Sequence, residues 1–349
     1  MDTITYASDC SGIGAPEVAL NGLGIHYRYV FASEIDKHAR LMLENSENPP
    51  EHIYSDVTQR SPTEGASVDL YTAGFPCVAF SGCGHMLAFN DPRGRIFFSI
   101  YEYLNLKQPT AFVLENVKML LTINSGRTWQ TILDHLQGIC DEITGEPAYN
   151  VEWRVISPHE LGYPQSRQRL FIVGRHRRKL GNDAVMPFPF PQPTHPPAVD
   201  ALNNILLQDA DAKRMEPQCC RPLTTCAQEK VTLIKAKLAA RGITWSHDTP
   251  YIVDPHTSIA RIRLGMSGAS LCLTTRCNEF YVLARNRYIT SIEALKIQGF
   301  HQGDLDQQTL MQTPASQRFK MAGNSMHVDV VAAILMPLVR MLHRSKASP

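Results

Sequence analysis

Thr3-Ile4-Thr5-Tyr6-Ala7 runs within four residues into Ser11-Gly12-Ile13-Gly14-Ala15-Pro16-Glu17, a β-rich segment followed by a Gly-x-Gly turn. The first segment predicts a strand, and the two glycines permit a tight turn and close approach of backbone to a ligand. Working outward, similar runs recur at Tyr29-Val30-Phe31-Ala32, Val68-Asp69-Leu70-Tyr71-Thr72, Ala111-Phe112-Val113-Leu114, Val151-Glu152-Trp153-Arg154-Val155 and Leu170-Phe171-Ile172-Val173. Several are nearly continuous apolar runs, as expected of strands covered on both faces. Helix-like stretches separate them, and that alternation predicts a doubly wound α/β sheet.

The pattern breaks after Gly174. Arg175-His176-Arg177-Arg178-Lys179 reads as a solvated exit from the sheet, and Pro187, Pro189, Pro191, Pro193, Pro196 and Pro197 mark a linker. From Val199 to Phe280 periodicity is weak and predicts no fold. The apolar tail from Val328 to Leu342 predicts a helix packing back on the first domain, and no solenoid period is visible.

A chain of 349 residues has room for one large and one small domain. With 44% hydrophobic and 19% charged residues it reads as an ordinary soluble protein. A net charge of +1 points to no nucleic-acid partner by itself, so any such site must be a local basic cleft. No apolar run is long enough for a membrane span, and no basic stretch precedes an apolar segment at Met1-Asp2-Thr3; no membrane association and an intracellular setting are expected. The nine cysteines include no Cys-x-x-Cys pair, so neither a metal site nor a disulfide framework is expected. Cys219, Cys220 and Cys226 read as thiols.

Residues with chemical potential cluster at the ends of expected strands. Glu34 stands 20 positions after Gly14, where nucleotide-type sites place a ribose-binding carboxylate. Asp56 marks another strand end. In Gly74-Phe75-Pro76-Cys77, Pro76 stiffens the backbone ahead of a thiol at the ligand-binding edge of the sheet. Glu115 closes an apolar strand, where a carboxylate is costly without a partner or a task. In Gln165-Ser166-Arg167-Gln168-Arg169, an extended backbone would put Gln165, Arg167 and Arg169 on one face, suited to phosphate or carboxylate. Gly323-Asn324-Ser325 reads as a cap ahead of the last helix, where an anionic ligand group would also be favoured. Each fragment also has a plain reading as a turn, a cap, a surface ion pair or a buried thiol.

In order and spacing, however, these segments resemble the cytosine-5 DNA methyltransferase family over nearly the whole chain except its middle. Besides the glycine turn, the resemblance runs through Phe31-Ala32-Ser33-Glu34-Ile35-Asp36, Ser55-Asp56-Val57, Gly74-Phe75-Pro76-Cys77-Val78-Ala79-Phe80-Ser81 and Asp91-Pro92-Arg93-Gly94. It continues through Glu115-Asn116-Val117, Gln165-x-Arg167-x-Arg169, the set Arg287, Thr290, Glu293, Gln298, Gly299 and Phe300, and Gly323-Asn324-Ser325. It implies a Rossmann-like methyltransferase sheet in residues 1–183, a smaller irregular target-recognition domain in 184–284, and a return segment in 285–349.

It also implies S-adenosylmethionine as cofactor, lined by Cys10, Gly12, Ile13, Gly14, Glu34, Ile35, Asp56, Val57, Gly74, Pro76, Asn324 and Ser325. Cys77 becomes the nucleophile, with Glu115, Arg167 and Arg169 around it. Ser81, Arg95, Thr274, Thr275 and Arg276 become contacts to double-stranded DNA, and the protein acts as a monomer without a metal. Three positions depart from the family pattern. Cys10 replaces an aromatic residue, Ser8 stands where an acid is usual with Asp9 displaced by one, and Val78 follows the nucleophile in place of Gln. Two alternatives share these motifs: a tRNA cytosine-5 methyltransferase, whose branch resembles Pro-Pro-Cys at the nucleophile, and an inactive DNA-binding regulator.

Overall fold

The computed structural model describes residues 3–61, 63–76, 94–258 and 268–347. Seven strands form one sheet: β1 (Ile4–Asp9), β2 (Tyr27–Ser33), β3 (His52–Tyr54), β4 (Leu70–Gly74), β5 (Ala111–Val117), β6 (Tyr149–Ile156) and β7 (Arg169–His176). Their order is β3-β2-β1-β4-β5-β7-β6. The pairs from β3 through β5 are parallel, and β7 runs antiparallel to both β5 and β6. All six strands read from apolar runs are present; β3, whose three residues are too few to show a period, is the further strand whose end Asp56 marks.

Around the sheet lie α1 (Ala15–Gly22), α2 (Lys37–Glu44), α3 (Gly94–Lys107) and α4 (Arg127–Gln137). Asp36 caps α2, its carboxylate accepting from the backbone N–H groups of His38 and Ala39. Such a cap contributes about 1 kcal/mol. Trp129, Ile132, Leu133 and Leu136 give α4 one apolar stripe at helical spacing. It joins a core with Phe97, Ile100 and Leu104 of α3 and Leu114 and Ile172 of the sheet. Full burial of one such side chain is worth roughly 1.5–3 kcal/mol. The C-terminal helix, Val328–Ala347, packs against α1.

The chain divides into two compact units. The sheet unit comprises Met1–Ile156, Gln168–Pro191 and Val328–Pro349; the other comprises Ser157–Arg167 and Gln192–His327. One crossing falls inside the proline run that the sequence marks as a linker. The second unit holds a three-stranded antiparallel sheet, β8 (Ile252–Val253), β9 (Tyr281–Val282) and β10 (Arg287–Tyr288), in the order β10-β9-β8. Val231, Ile234 and Leu238 of the helix Thr225–Ala239 pack with Tyr251, Val253, Tyr281 and Tyr288. Between Val199 and Phe280 the described elements are short helical pieces and the two-residue β8, and only the helix Thr225–Ala239 is long enough to show a period. Among the described residues no single helix is long and apolar enough to cross a membrane.

Candidate active site

β1 ends at Asp9, and the chain turns sharply on three residues in left-handed conformation: Cys10 (φ 51°), Gly12 (φ 58°) and Gly14 (φ 80°). Cys10 takes that conformation without being glycine, a strain that functional turns commonly carry. A Cβ placed on Gly12 would meet nothing within 4 Å, so the turn faces open space there. Ile13 is buried beneath it.

Glu34, just beyond β2, binds this turn. Its Oε2 accepts from the Gly12 N–H at 2.7 Å and its Oε1 from the Asp36 N–H at 2.8 Å. Each oxygen keeps a second lone pair for hydroxyl donors. The next residue, Ile35, is 74% exposed, an uncovered apolar side chain at a strand end. Beyond β3, Asp56 Oδ1 accepts from the backbone N–H and hydroxyl of Thr58, both at 2.8 Å, and Val57 is buried. Burial pushes the Cys10 thiol up, and the charges of Asp9, Glu34 and Asp56 push it further. Carboxylates with spare lone pairs, an exposed apolar side chain and a glycine turn open at Gly12 fit a nucleoside-bearing ligand such as S-adenosylmethionine.

The neighbouring strands carry the second cluster. Gly74 ends β4, followed by buried Phe75 and exposed Pro76. Cys77, Val78 and Ser81 lie outside the described residues. Glu115, near the end of β5, is 8% exposed and pairs with Arg169 Nε at 3.0 Å. The pairing follows from register, because β5 meets the start of reversed β7 there, with Val117 opposite Arg169. Asn116 Nδ2 donates to the Phe75 carbonyl at 2.9 Å and holds the backbone two residues before Cys77. Nothing in the local pattern singles out that contact, which joins residues 41 apart. Arg95 is exposed in the first turn of α3.

Within the sheet unit the fold therefore collects Cys10, Gly12, Ile13, Gly14, Glu34, Ile35, Asp56, Val57, Gly74, Pro76, Glu115 and Arg169 along one edge, the carboxyl ends of the parallel strands. That is where open α/β sheets bind ligands.

Arg167, Asn324, Ser325 and Thr274-Thr275-Arg276 belong to the other unit. The extended run expected over Gln165 to Arg169 is not formed: β7 begins only at Arg169. Gln165 instead bridges to Ser270 and donates to Gln298 Oε1 at 2.8 Å, fully buried. Arg167 is 4% exposed. It donates through Nη1 to Leu273 O at 2.6 Å and through Nη2 to Gly323 O at 3.1 Å and Ser325 O at 2.9 Å. Gln298 Nε2 also donates to Ser325 O, at 2.8 Å.

The capping role expected of Asn324 and Ser325 is likewise replaced. Asn324 ends the helix Ala315–Asn324 and Ser325 caps its C-terminus. A Cβ on Gly323 would lie 2.3 Å from the carbonyl carbon of Thr274 and 2.5 Å from the Thr275 nitrogen, so only glycine lets these backbones meet. Thr274, Thr275 and Arg276 are exposed beyond that contact, and Arg276 pairs with Glu279 at 3.2 Å. Burial pushes the His327 imidazole down to about 3, with Arg167 and His301 adding to the effect.

A mostly parallel seven-stranded sheet with a glycine turn, Glu34 and the paired Glu115 along its carboxyl edge has a Rossmann-like architecture. Residues 4–340 match the model of the C-5 cytosine-specific DNA methylase family, and the chain belongs to that family. Its enzyme class is DNA cytosine-5 methyltransferase. The Type II methyltransferase M.NgoBI of Neisseria gonorrhoeae is 33% identical over 93% of this chain and 89% of its own length. M.HaeII of Haemophilus aegyptius is 30% identical over 95% and 92%. The crystal structure of a DNMT2 variant from Spodoptera frugiperda shares the fold, with a TM-score of 0.66 at 21% identity over 97% of this chain and all of that one.

Proposed function

We propose that the protein transfers the methyl group of S-adenosylmethionine to carbon 5 of a cytosine flipped out of duplex DNA, through a covalent adduct on Cys77. The observation that carries this reading is the Glu115–Arg169 pair beside the strap from Asn116 to the Phe75 carbonyl, two residues before Cys77 in sequence.

Carbon 5 of cytosine is a weak nucleophile. The Cys77 thiolate adds to carbon 6, and the electron pair displaced onto carbon 5 attacks the methyl group. When bound, the cofactor supplies an electrophilic methyl on a sulfonium that leaves as the neutral thioether, S-adenosylhomocysteine. Glu115 holds the proton at ring nitrogen 3, where charge develops, and Arg169 orients Glu115; a positive charge from Arg169 would favour the thiolate form of Cys77. A base, water included, then takes the carbon 5 proton, and elimination returns the Cys77 thiolate. Glu34 and Asp56 bind the ribose and base edge of the cofactor, Ile35 packs against its ring, and the Gly12–Gly14 backbone admits it closely. The resemblance also assigns Asn324 and Ser325 to the cofactor. Flipping costs a few kcal/mol and gives the thiolate access to the ring.

Residues 184–284 would read the target, with Thr274, Thr275 and Arg276 on DNA together with Ser81 and Arg95. The molecule would act as a monomer. Labelled-methyl transfer to duplex DNA and to tRNA tests this: label on DNA is expected, and label only on tRNA overturns it. Cys77→Ser is expected to abolish transfer while DNA binding survives; unchanged transfer refutes the nucleophile. Bisulfite sequencing of DNA from expressing cells then reads the target sequence.

A further inference from the structure

We propose that the buried Asp9–Arg60 ion pair is the positioning element of the cofactor site, clamping the turn that carries Asp56 and Val57 to the turn that carries Gly12 and Gly14. The proposal rests on the cofactor placement given above.

Alternation along β1 sends Ser8 and Asp9 to opposite faces of the sheet. Ser8 meets the hydroxyls of Ser11 and Tyr29 at 2.6 and 2.5 Å and the Glu17 carboxylate at 3.2 Å. Asp9 lies on the other face, where its Oδ2 accepts from Arg60 Nη2 at 2.6 Å and from the Tyr71 hydroxyl at 2.5 Å. The displacement of the acid by one position is therefore a change of face. The carboxylate leaves the α1 side and takes a partner 51 residues away.

Arg60 closes the turn that follows β3. Its guanidinium carbon lies 4.5 Å from the Phe31 ring centroid, 5.0 Å from Tyr103 and 5.5 Å from Tyr54. The two side chains are 1% and 0% exposed. Asp9 Oδ1 and Arg60 Nε and Nη1 have no hydrogen-bond partner among the described residues. A pair this dry and this incompletely bonded is a poor source of net stability, since desolvation offsets the attraction. What it supplies is direction. A short charge-assisted bond fixes one geometry where an apolar contact would tolerate sliding. Asp9 stands three residues before Gly12 and Arg60 four after Asp56, so the bond sets the spacing of two walls of the site.

The test is calorimetric titration of the full-length protein with S-adenosylhomocysteine, below the unfolding temperature of each variant. Arg60→Met is expected to weaken binding about tenfold, 1.4 kcal/mol. Cofactor KM should rise with it, while kcat at saturating cofactor and KM for DNA stay near wild type. Arg60→Lys, which keeps the charge but not the planar fork, should recover part of the affinity. Single changes strand a buried charge and lower the melting temperature. The pair Asp9→Leu with Arg60→Met removes both charges and strands only the Tyr71 hydroxyl; it should melt closer to wild type than either single variant yet still bind the probe about tenfold more weakly. Wild-type affinity in that folded double variant, with affinity lost in Glu34→Ala, would overturn the clamp alone. Full affinity in Glu34→Ala would overturn the cofactor placement beneath it.

Discussion

Replacing Arg167 by Met separates two readings of that arginine. By resemblance it stands with Glu115 and Arg169 around Cys77, where it would also contact the flipped nucleotide or its phosphate. In the structure its guanidinium is spent on three carbonyls, those of Leu273, Gly323 and Ser325. The Ser325 carbonyl keeps Gln298 as a second donor, which leaves two acceptors to lose their principal partner. A buried acceptor stripped of its donor costs roughly 1–3 kcal/mol, so Arg167→Met should destabilise by about 2–6 kcal/mol. That is a large fraction of the 5–15 kcal/mol that holds a typical domain together, figures on the order of those known for small proteins. Urea unfolding followed by far-UV circular dichroism reads the shift in midpoint. Arg167→Lys should rescue little, because an ammonium cannot fork to three carbonyls. The comparison is Arg169→Met, which takes the paired cation from a Glu115 carboxylate only 8% exposed; it should also lower stability, and it should remove most of the methyl transfer. If Arg167→Met melts at the wild-type urea midpoint and loses only DNA affinity, the guanidinium faces phosphate and the reasoning is wrong.

Glu115→Gln should lower the methylation rate far more than cofactor affinity; equal losses, read by steady-state kinetics and titration, would make Glu115 a structural residue. Gly323→Ala and Gly22→Ala add the same methyl with opposite results. The first drives a Cβ to 2.3 Å from the Thr274 backbone, the second meets nothing within 4 Å. Thermal melting should show a loss of about 1–3 kcal/mol or more for Gly323→Ala, and a gain of at most about 1 kcal/mol for Gly22→Ala. Acid should destabilise the protein before its carboxylates titrate. Burial, with Lys179 and Arg178 nearby, pushes the His176 imidazole down to about 4, and His327 lies at about 3. Both are neutral when folded, whereas the unfolded chain binds their protons near pH 6.5. Stability is therefore fully present above that pH and falls as pH drops toward 4 and then 3. Equal urea midpoints at pH 7 and pH 5 would contradict this.

Much of the sheet unit was readable along the chain. Continuous apolar runs, a glycine turn, Glu34 spaced from it, and Glu115 closing a strand are local facts, and local alternation is what periodicity reports. Their meeting along one edge follows once the strands are parallel, because the carboxyl ends of parallel strands share a side. What the sequence could not determine depends on partners far along the chain. β3 is three residues long and exists as the parallel partner of β2. Gln165 and Gln298 meet across 133 residues, and that contact helps draw Gln165 and Arg167 away from the strand their spacing suggested. Gly323 reads in sequence as part of a cap before the last helix, yet it lies in the helix Ala315–Asn324 with the Thr274 backbone against it. Asp9 reads as a misplaced acid, yet strand alternation and Arg60 together give it a face and a partner. Sequence alone determined which strands could form and which chemical groups lay at their ends, since both follow from neighbours on the chain. Only the tertiary structure decided which of those groups stay available for chemistry and which are spent holding backbone, because that depends on acceptors delivered from a hundred or more residues away.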